Sequence, residues 1–243
     1  MKALLAQTRS ELMLSLRNGE QLLVNIAIPL LLLVFFSAVK VLPIPTGVDK
    51  RVDFLAPGII ALAVMSNAMV ALAIGTGFER HYKVLKRLGV TPLGRPRWLI
   101  AKVITILVVQ FIQLGVLIPV ALLLDWQADD AQWLVAIGAV VTGSIAFAGL
   151  GLFIAGRLRA EVNLAAQNGL YLLLLLLGGM VIPFDELPDP VAAVAKCLPS
   201  GALAVVMREA LVNGGDRPAT SWLVLGIWAL VTPVLTALTF RWE

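Results

Sequence analysis

The sequence predicts an all-α integral membrane protein forming a single domain over residues 1–243. Three observations carry that prediction. Hydrophobic residues make up 60% of the chain and charged residues only 14%, against roughly 25% charged in ordinary soluble domains. Mean hydropathy is +0.94. The apolar residues also come in blocks near the roughly 20 residues that a helix needs to cross a hydrocarbon core about 30 Å thick.

Six such blocks lie at about 21–41, 54–77, 98–124, 132–155, 164–182 and 219–240, and the longest remaining segment, 183–218, is too short for a soluble domain. The first block is read as a retained span rather than a signal peptide. Some twenty residues precede it, including Lys2, Arg9, Glu11, Arg17 and Glu20, and no small-residue cleavage pattern follows its Pro43-Ile44-Pro45 end. Cys197 is the sole cysteine and His81 the sole histidine. They fall in separate segments, so the sequence offers neither an intrachain disulfide nor a zinc-type ligand set.

Charge sets the expected orientation. With a cytoplasmic N-terminus, the inner segments hold Lys2, Arg9, Arg17, Arg80, Lys83, Lys86, Arg87, Arg95, Arg97, Lys102, Arg157, Arg159 and Arg241. The outer segments hold Lys40, Lys50, Arg51, Lys196, Arg208 and Arg217, so the count is thirteen against six. That bias follows the positive-inside rule and puts both termini in the cytoplasm.

The connection after the second span is the most basic stretch of the chain. At 100° per residue, Phe78, Tyr82, Val84, Leu85 and Leu88 fall on one side and Glu79, Arg80, Lys83, Lys86 and Arg87 on the other, which predicts a short amphipathic helix. Gly89 suits its C-terminal cap, and Pro92 and Pro96 keep it from running into the third span. Two readings are open: a basic loop against anionic headgroups, or a docking surface for a cytosolic partner. The chain has no phosphate-binding loop of its own. Its nearest match, Gly89 to Gly94 followed by Arg95-Pro96, lacks both the lysine and the hydroxyl that the motif needs.

Inside the spans, Lys40, Glu79 and Lys102 lie near helix ends, where long side chains can snorkel. The uncharged polar groups are Asn67, Gln110, Gln113, Thr142 and Ser144, with Asn163, Gln167 and Asn168 opening the fifth span. Gln110 and Gln113 share a helix face, which suits helix packing or a wet seam, and Asn67, Gln110 and Gln113 are the candidates to line or brace a translocation pathway. Gly178-Gly179 and Pro183 are expected to end the fifth span. Two short helices follow, near 187–198 and 200–212 and divided by Pro199, either dipping into the membrane from outside or forming an ordinary outer loop.

Taken in order, "FERHYKVLKRLGVTPLGRPRWLIAK" after the second span and "GGMVIPFDELPDP" with "LPSGAL" before the sixth resemble an ABC-2 type transporter permease, closest to the bacterial drug-exporter branch. The resemblance implies an N-terminal cytoplasmic helix, six transmembrane helices, a cytoplasmic coupling helix and short outer helices before the last span. It further implies an exporter of hydrophobic or amphiphilic cargo in the bacterial inner membrane. A separate ABC ATP-binding subunit would hold ATP and magnesium, a second permease subunit, identical or related, would complete the pathway, and this chain would bind no cofactor and no nucleic acid. Carried over residue by residue, the coupling positions are Phe78, Glu79, Arg80, Tyr82, Lys83, Leu85, Arg87 and Leu88, with Thr91-Pro92 closing the motif. Glu79-Arg80-His81-Tyr82 stands where many relatives have Glu-Arg-Glu followed by Gly-Thr. A channel or assembly subunit and a lipid-modifying enzyme are the alternatives. The enzyme is disfavoured because no acids, histidines or metal ligands gather at one depth.

Overall fold

The computed structural model describes residues 2–39, 50–89, 93–213 and 218–240. Among them the chain is all helix: α1 (Lys2–Arg17), α2 (Gly19–Ala38), α3 (Arg51–Met65), a π turn (Ser66–Ala71), α4 (Leu72–His81), α5 (Val84–Gly89), α6 (Arg95–Leu123), α7 (Trp133–Ala155), α8 (Ala160–Leu177), α9 (Asp189–Cys197), α10 (Pro199–Arg208) with a π turn to Asn213, and α11 (Ala219–Thr239). Five helices are long and apolar enough to cross a membrane unaided: Arg51–His81, Pro96–Leu123, Trp133–Ala155, Ala160–Leu177 and Ala219–Thr239. Two bent pairs, α1 with α2 at 63° and α9 with α10 at 85°, raise the possible number to seven. The end of the expected first span, most of loop 42–53, Thr91-Pro92, and Lys40, Asp216, Arg217 and Arg241 lie outside the described residues.

The centre of the bundle is α3, buried from Val52 to Met65. Its neighbours approach closely because glycine removes the side chain at the contact. A Cβ on Gly58 would overlap the Met180 carbonyl, and one on Gly149 of α7 would overlap the Thr232 hydroxyl and the Pro233 nitrogen of α11. On the opposite side of α7, Gly151 lets that helix reach the Met69 carbonyl in the π turn. Small residues at crossings are the expected device where lipid supplies no hydrophobic drive between helices. The α7–α11 contact is then stitched by hydroxyls: Thr232 donates to the Ala146 carbonyl at 2.8 Å and Thr236 to the Gly149 carbonyl at 2.8 Å.

The expected pair of short helices before the last span is present. Pro188 precedes α9 and Pro199 opens α10, the two helices meet at 85°, and α10 is buried from Pro199 to Ala204 among α3, α7 and α11. Arg208 fixes its base, lying over the Phe54 ring at 4.1 Å and donating to the Gly179 and Met180 carbonyls. Gly179 has φ +64 and packs under the Phe184 ring, so a side chain there would be strained and also collide. At the same end Asp53 accepts the Gln127 amide at 3.0 Å and Lys50 pairs with Asp125 at 2.5 Å, joining the start of α3 to the α6–α7 connection.

These close approaches give a signed pair of outcomes. Gly149→Ala overpacks the α7–α11 crossing and is expected to cost about 1–3 kcal/mol. Gly115→Ala, whose methyl would meet nothing within 4 Å, is expected to be neutral or to stabilise by up to about 1 kcal/mol through helix propensity. Thermal unfolding of the two purified variants beside the parent checks both signs.

Candidate functional site

The end of the bundle opposite Asp53 and Asp125 gathers the end of α4, α5, the start of α6, the α7–α8 connection and the end of α11. The second span does not stop near residue 77 before a separate amphipathic helix over 78–88. It continues as α4 to His81, turns at Tyr82-Lys83, and resumes as the short α5. The elbow forms because Lys83 takes up φ 61 while its amide bonds the Arg80 carbonyl at 3.0 Å, a left-handed residue that no helix accommodates.

The elbow redistributes the expected coupling residues. Leu85 is fully buried in the chain's own core and Leu88 packs partly against it, so neither is an exposed anchor. Glu79 and Arg80, expected on the solvent side, are engaged within the chain. The Arg80 guanidinium donates to the Ala155 carbonyl at 3.0 Å and the Leu158 carbonyl at 2.5 Å. Ala155 is the last residue of α7 and Leu158 lies in the α7–α8 connection, so Arg80 caps the helix and ties the elbow to that connection. Tyr82 is 66% exposed, held between the Phe78 ring at 6.3 Å and the His81 ring at 5.2 Å. Beside it a cleft of about 560 Å³ is lined by Arg80, His81, Lys83, Lys86 and Arg159, with Glu161 as its acid. Arg87 is exposed on the same short helix.

Lys102 does not snorkel. Its ammonium is buried, 2.8 Å from Glu11 Oε2 and 2.5 Å from Glu79 Oε1, and it lies 5.8 Å from the centre of the Trp98 ring. Three elements meet in this triad: α1 through Glu11, α4 through Glu79 and α6 through Lys102. The 91-residue separation of Lys102 from Glu11 hides the pair from any reading of local spacing.

Asn67, Gln110, Gln113, Asn163 and Gln167 serve as helix-to-helix ties, whereas Thr142 and Asn168 bond back within their own helices. Asn67 donates to Gln110 Oε1 at 3.2 Å and to the Ile106 carbonyl at 3.4 Å, while Gln113 donates to the Asn25 carbonyl at 2.5 Å. Asn67 can reach α6 because it lies in the π turn. A second set joins α8 to the core: Asn163 donates to the Ala73 carbonyl at 2.9 Å, and Gln167 to Asn163 Oδ1 and the Gly151 carbonyl, each at 3.1 Å. The Asn163–Gln167 spacing of four is a visible signal for such a tie. Among the described residues no group of three or more histidine, cysteine, aspartate or glutamate side chains could hold a metal ion.

Removing one partner of a buried ion cluster strands the others, so Lys102→Met is expected to destabilise the chain by about 3–5 kcal/mol. Adding Glu11→Gln and Glu79→Gln to that variant removes the stranded charges and is expected to recover most of the loss. Unfolding midpoints of the single and triple variants in one detergent make the comparison.

The chain matches the family described as ABC-2 family transporter protein over residues 38–240. It is also 26% identical over 237 residues, 97% of this chain and 96% of the relative, to a Bacillus subtilis (strain 168) protein named "Putative transport permease YvfS". With an all-α architecture whose helices are long and apolar enough for several membrane crossings, and a family match that runs from the end of α2 to the end of α11, this multi-pass membrane chain belongs to the ABC-2 family of transporters.

Proposed function

We propose that the chain is the permease subunit of an ATP-binding cassette exporter that moves hydrophobic or amphiphilic cargo outward. Its elbow docks on a separate ATPase subunit, and a second permease subunit, identical or related, completes the pathway. The observation that carries this reading is the elbow itself. The Arg51–His81 helix has 31 residues, about 46 Å at 1.5 Å per residue, against a hydrocarbon core of about 30 Å. Even when tilted, such a helix carries its last turns beyond the lipid, and Tyr82 with its basic surround sits at that tip. A rigid exposed aromatic ringed by charge has the anatomy of an interface hot spot. The sequence supplies no nucleotide-binding motif, so ATP and magnesium are assigned to the partner.

On this reading the two connections at the elbow end move together. Arg80 holds the elbow to the end of α7, so a displacement by the ATPase reaches α7 and α8 as well as α4. Between α2, the π turn and α8 runs a groove of about 390 Å³ lined by Asn25, Ile28, Ser66, Ala71, Asn168 and Tyr171, a mixed polar and apolar wall suited to amphiphilic cargo. Asn67, Gln110 and Gln113 stand behind that wall as braces.

Tyr82→Ala is expected to weaken binding of the ATPase subunit about 30-fold, the loss of roughly 2 kcal/mol usual for a central anchor. Lys83→Glu and Arg87→Glu are expected to change mainly association rate and salt dependence. Surface plasmon resonance with the purified ATPase measures both. A folded Tyr82→Ala chain that binds with undiminished affinity would sink the docking assignment.

Orientation is tested separately. In a Cys197→Ser background, needed because Cys197 is exposed, a membrane-impermeant maleimide is expected to label Asp129→Cys on intact cells and Arg159→Cys only after permeabilisation. The reverse pattern overturns the cytoplasmic placement of the elbow.

A further inference from the structure

Behind the elbow, α1, α2, α4 and α6 border a half-open cavity of about 180 Å³ whose wall includes Glu11, Asn67, Thr76, Glu79, Lys102 and Thr105. Two features of that wall go beyond a closed ion cluster. The first is charge: two carboxylates face one ammonium, which leaves one net negative charge among apolar helices when both are ionised. The second is a set of oxygen atoms without hydrogen-bond partners. Thr76 is 0% and Thr105 4% exposed, and neither hydroxyl has a partner among the described residues, nor has Glu79 Oε2. A helical threonine ordinarily turns its hydroxyl back to the carbonyl four residues earlier, as Thr142 does at 2.8 Å and Thr239 at 2.5 Å. Thr76 and Thr105 do not, and both line the cavity instead.

Their positions are matched. Thr76 stands three residues before Glu79 on α4, and Thr105 three residues after Lys102 on α6, so each hydroxyl shares a helix face with the charged group of its own helix. Glu79, Thr76 and Thr105 thus contribute a carboxylate oxygen and two hydroxyl oxygens to the wall of one cavity, hard oxygen donors of the kind that bind hard cations. Water alone would satisfy the hydroxyls but would leave the net charge uncompensated in a low-dielectric setting. A divalent ion would overshoot that single charge. We propose that this cavity is a binding site for a small monovalent cation, held by Glu79 Oε2, Thr76 Oγ1 and Thr105 Oγ1. The cation is an alkali-metal ion from solution or the primary ammonium head of an amphiphile, two sources of the same chemistry. The site stands on the geometry of α4 and α6 and needs no ATPase.

The test uses the purified full chain in phosphatidylcholine nanodiscs, a lipid without a primary ammonium, at fixed pH and ionic strength. Unfolding is followed by tryptophan fluorescence as sodium, potassium or methylammonium replaces the bulky N-methylglucamine ion. The expected result is a saturating rise in Tm, about 3 °C or more at a tenfold excess over the dissociation constant. Half-saturation is expected to move at least tenfold higher in Thr76→Val/Thr105→Val. A response to sodium or potassium at lower concentration than to methylammonium assigns the site to an alkali ion, and the opposite order assigns it to an ammonium head. Equal Tm of the parent chain in all four cations overturns the proposal, since Glu79 then holds a proton or the cavity holds only water, and this outcome requires no variant to fold. A double variant that keeps the parent's response overturns it as well, because the cation is then bound elsewhere.

Discussion

The buried ammonium of Lys102 is the interaction on which the elbow end of the molecule depends. A lysine head in apolar surroundings is tolerated only when it is neutralised and hydrogen-bonded, and here two carboxylates from different helices do both. The requirement works in both directions. Lys102 cannot stay buried unless α1 lies against α6 and α4 ends alongside, and Glu11 and Glu79 cannot be desolvated without the lysine. One electrostatic constraint therefore fixes the 63° bend of α1 away from α2 and the path of α4 toward the elbow.

A second constraint follows from helix ends. The last carbonyls of α7 have no intrahelical donors, and Arg80, one residue beyond the triad's Glu79, donates to that of Ala155 and to the Leu158 carbonyl in the connection that follows. Adjacent residues on one helix thus bind in two directions, Glu79 toward α6 and α1, Arg80 toward α7. Tyr82 is left outward at the elbow while Glu79, Arg80 and Leu85 on either side of it are engaged within the chain. The exposure of this ring is a result of the packing below it, which is why it is presented rigidly rather than as a loose side chain.

Much of this architecture is legible in the sequence. The apolar blocks mark the long helices, Pro188 and Pro199 mark the starts of the two short helices, and Gly178-Gly179 ends α8 where the chain must turn back onto α3. The resemblance carried by the residues after the second span points to the ABC-2 family, to which the chain belongs. What stays hidden is non-local or conformational. Helical projection puts Leu85 with Phe78 and Tyr82 on one stripe, but a single left-handed residue, Lys83, breaks the helix and sends Leu85 inward. The Lys102 pairing needs partners 23 and 91 residues away. The π turn at Ser66–Ala71 has no composition signal, yet it brings Asn67 within reach of Gln110.

Close glycine contacts hold both ends of the bundle, with Gly77 against Asn163 and Gly156 against the Phe240 ring at the elbow end. Opposite the elbow, cohesion comes from backbone contact: the Met180 carbonyl on Gly58, the α10 helix wedged against α3, and the Gln132 amide bonded to the Ala210 carbonyl at 2.7 Å. Such contacts have one geometry and resist sliding, because any shift brings a Cβ or a carbonyl into overlap. At the elbow end, long side chains add to the backbone packing: Lys102 with Glu11 ties α6 to α1 and Arg80 ties α4 to α7, helix pairs that also pack closely against each other. Long side chains can follow a helix through a displacement of an ångström or two and keep their hydrogen bonds, where packed glycine crossings cannot.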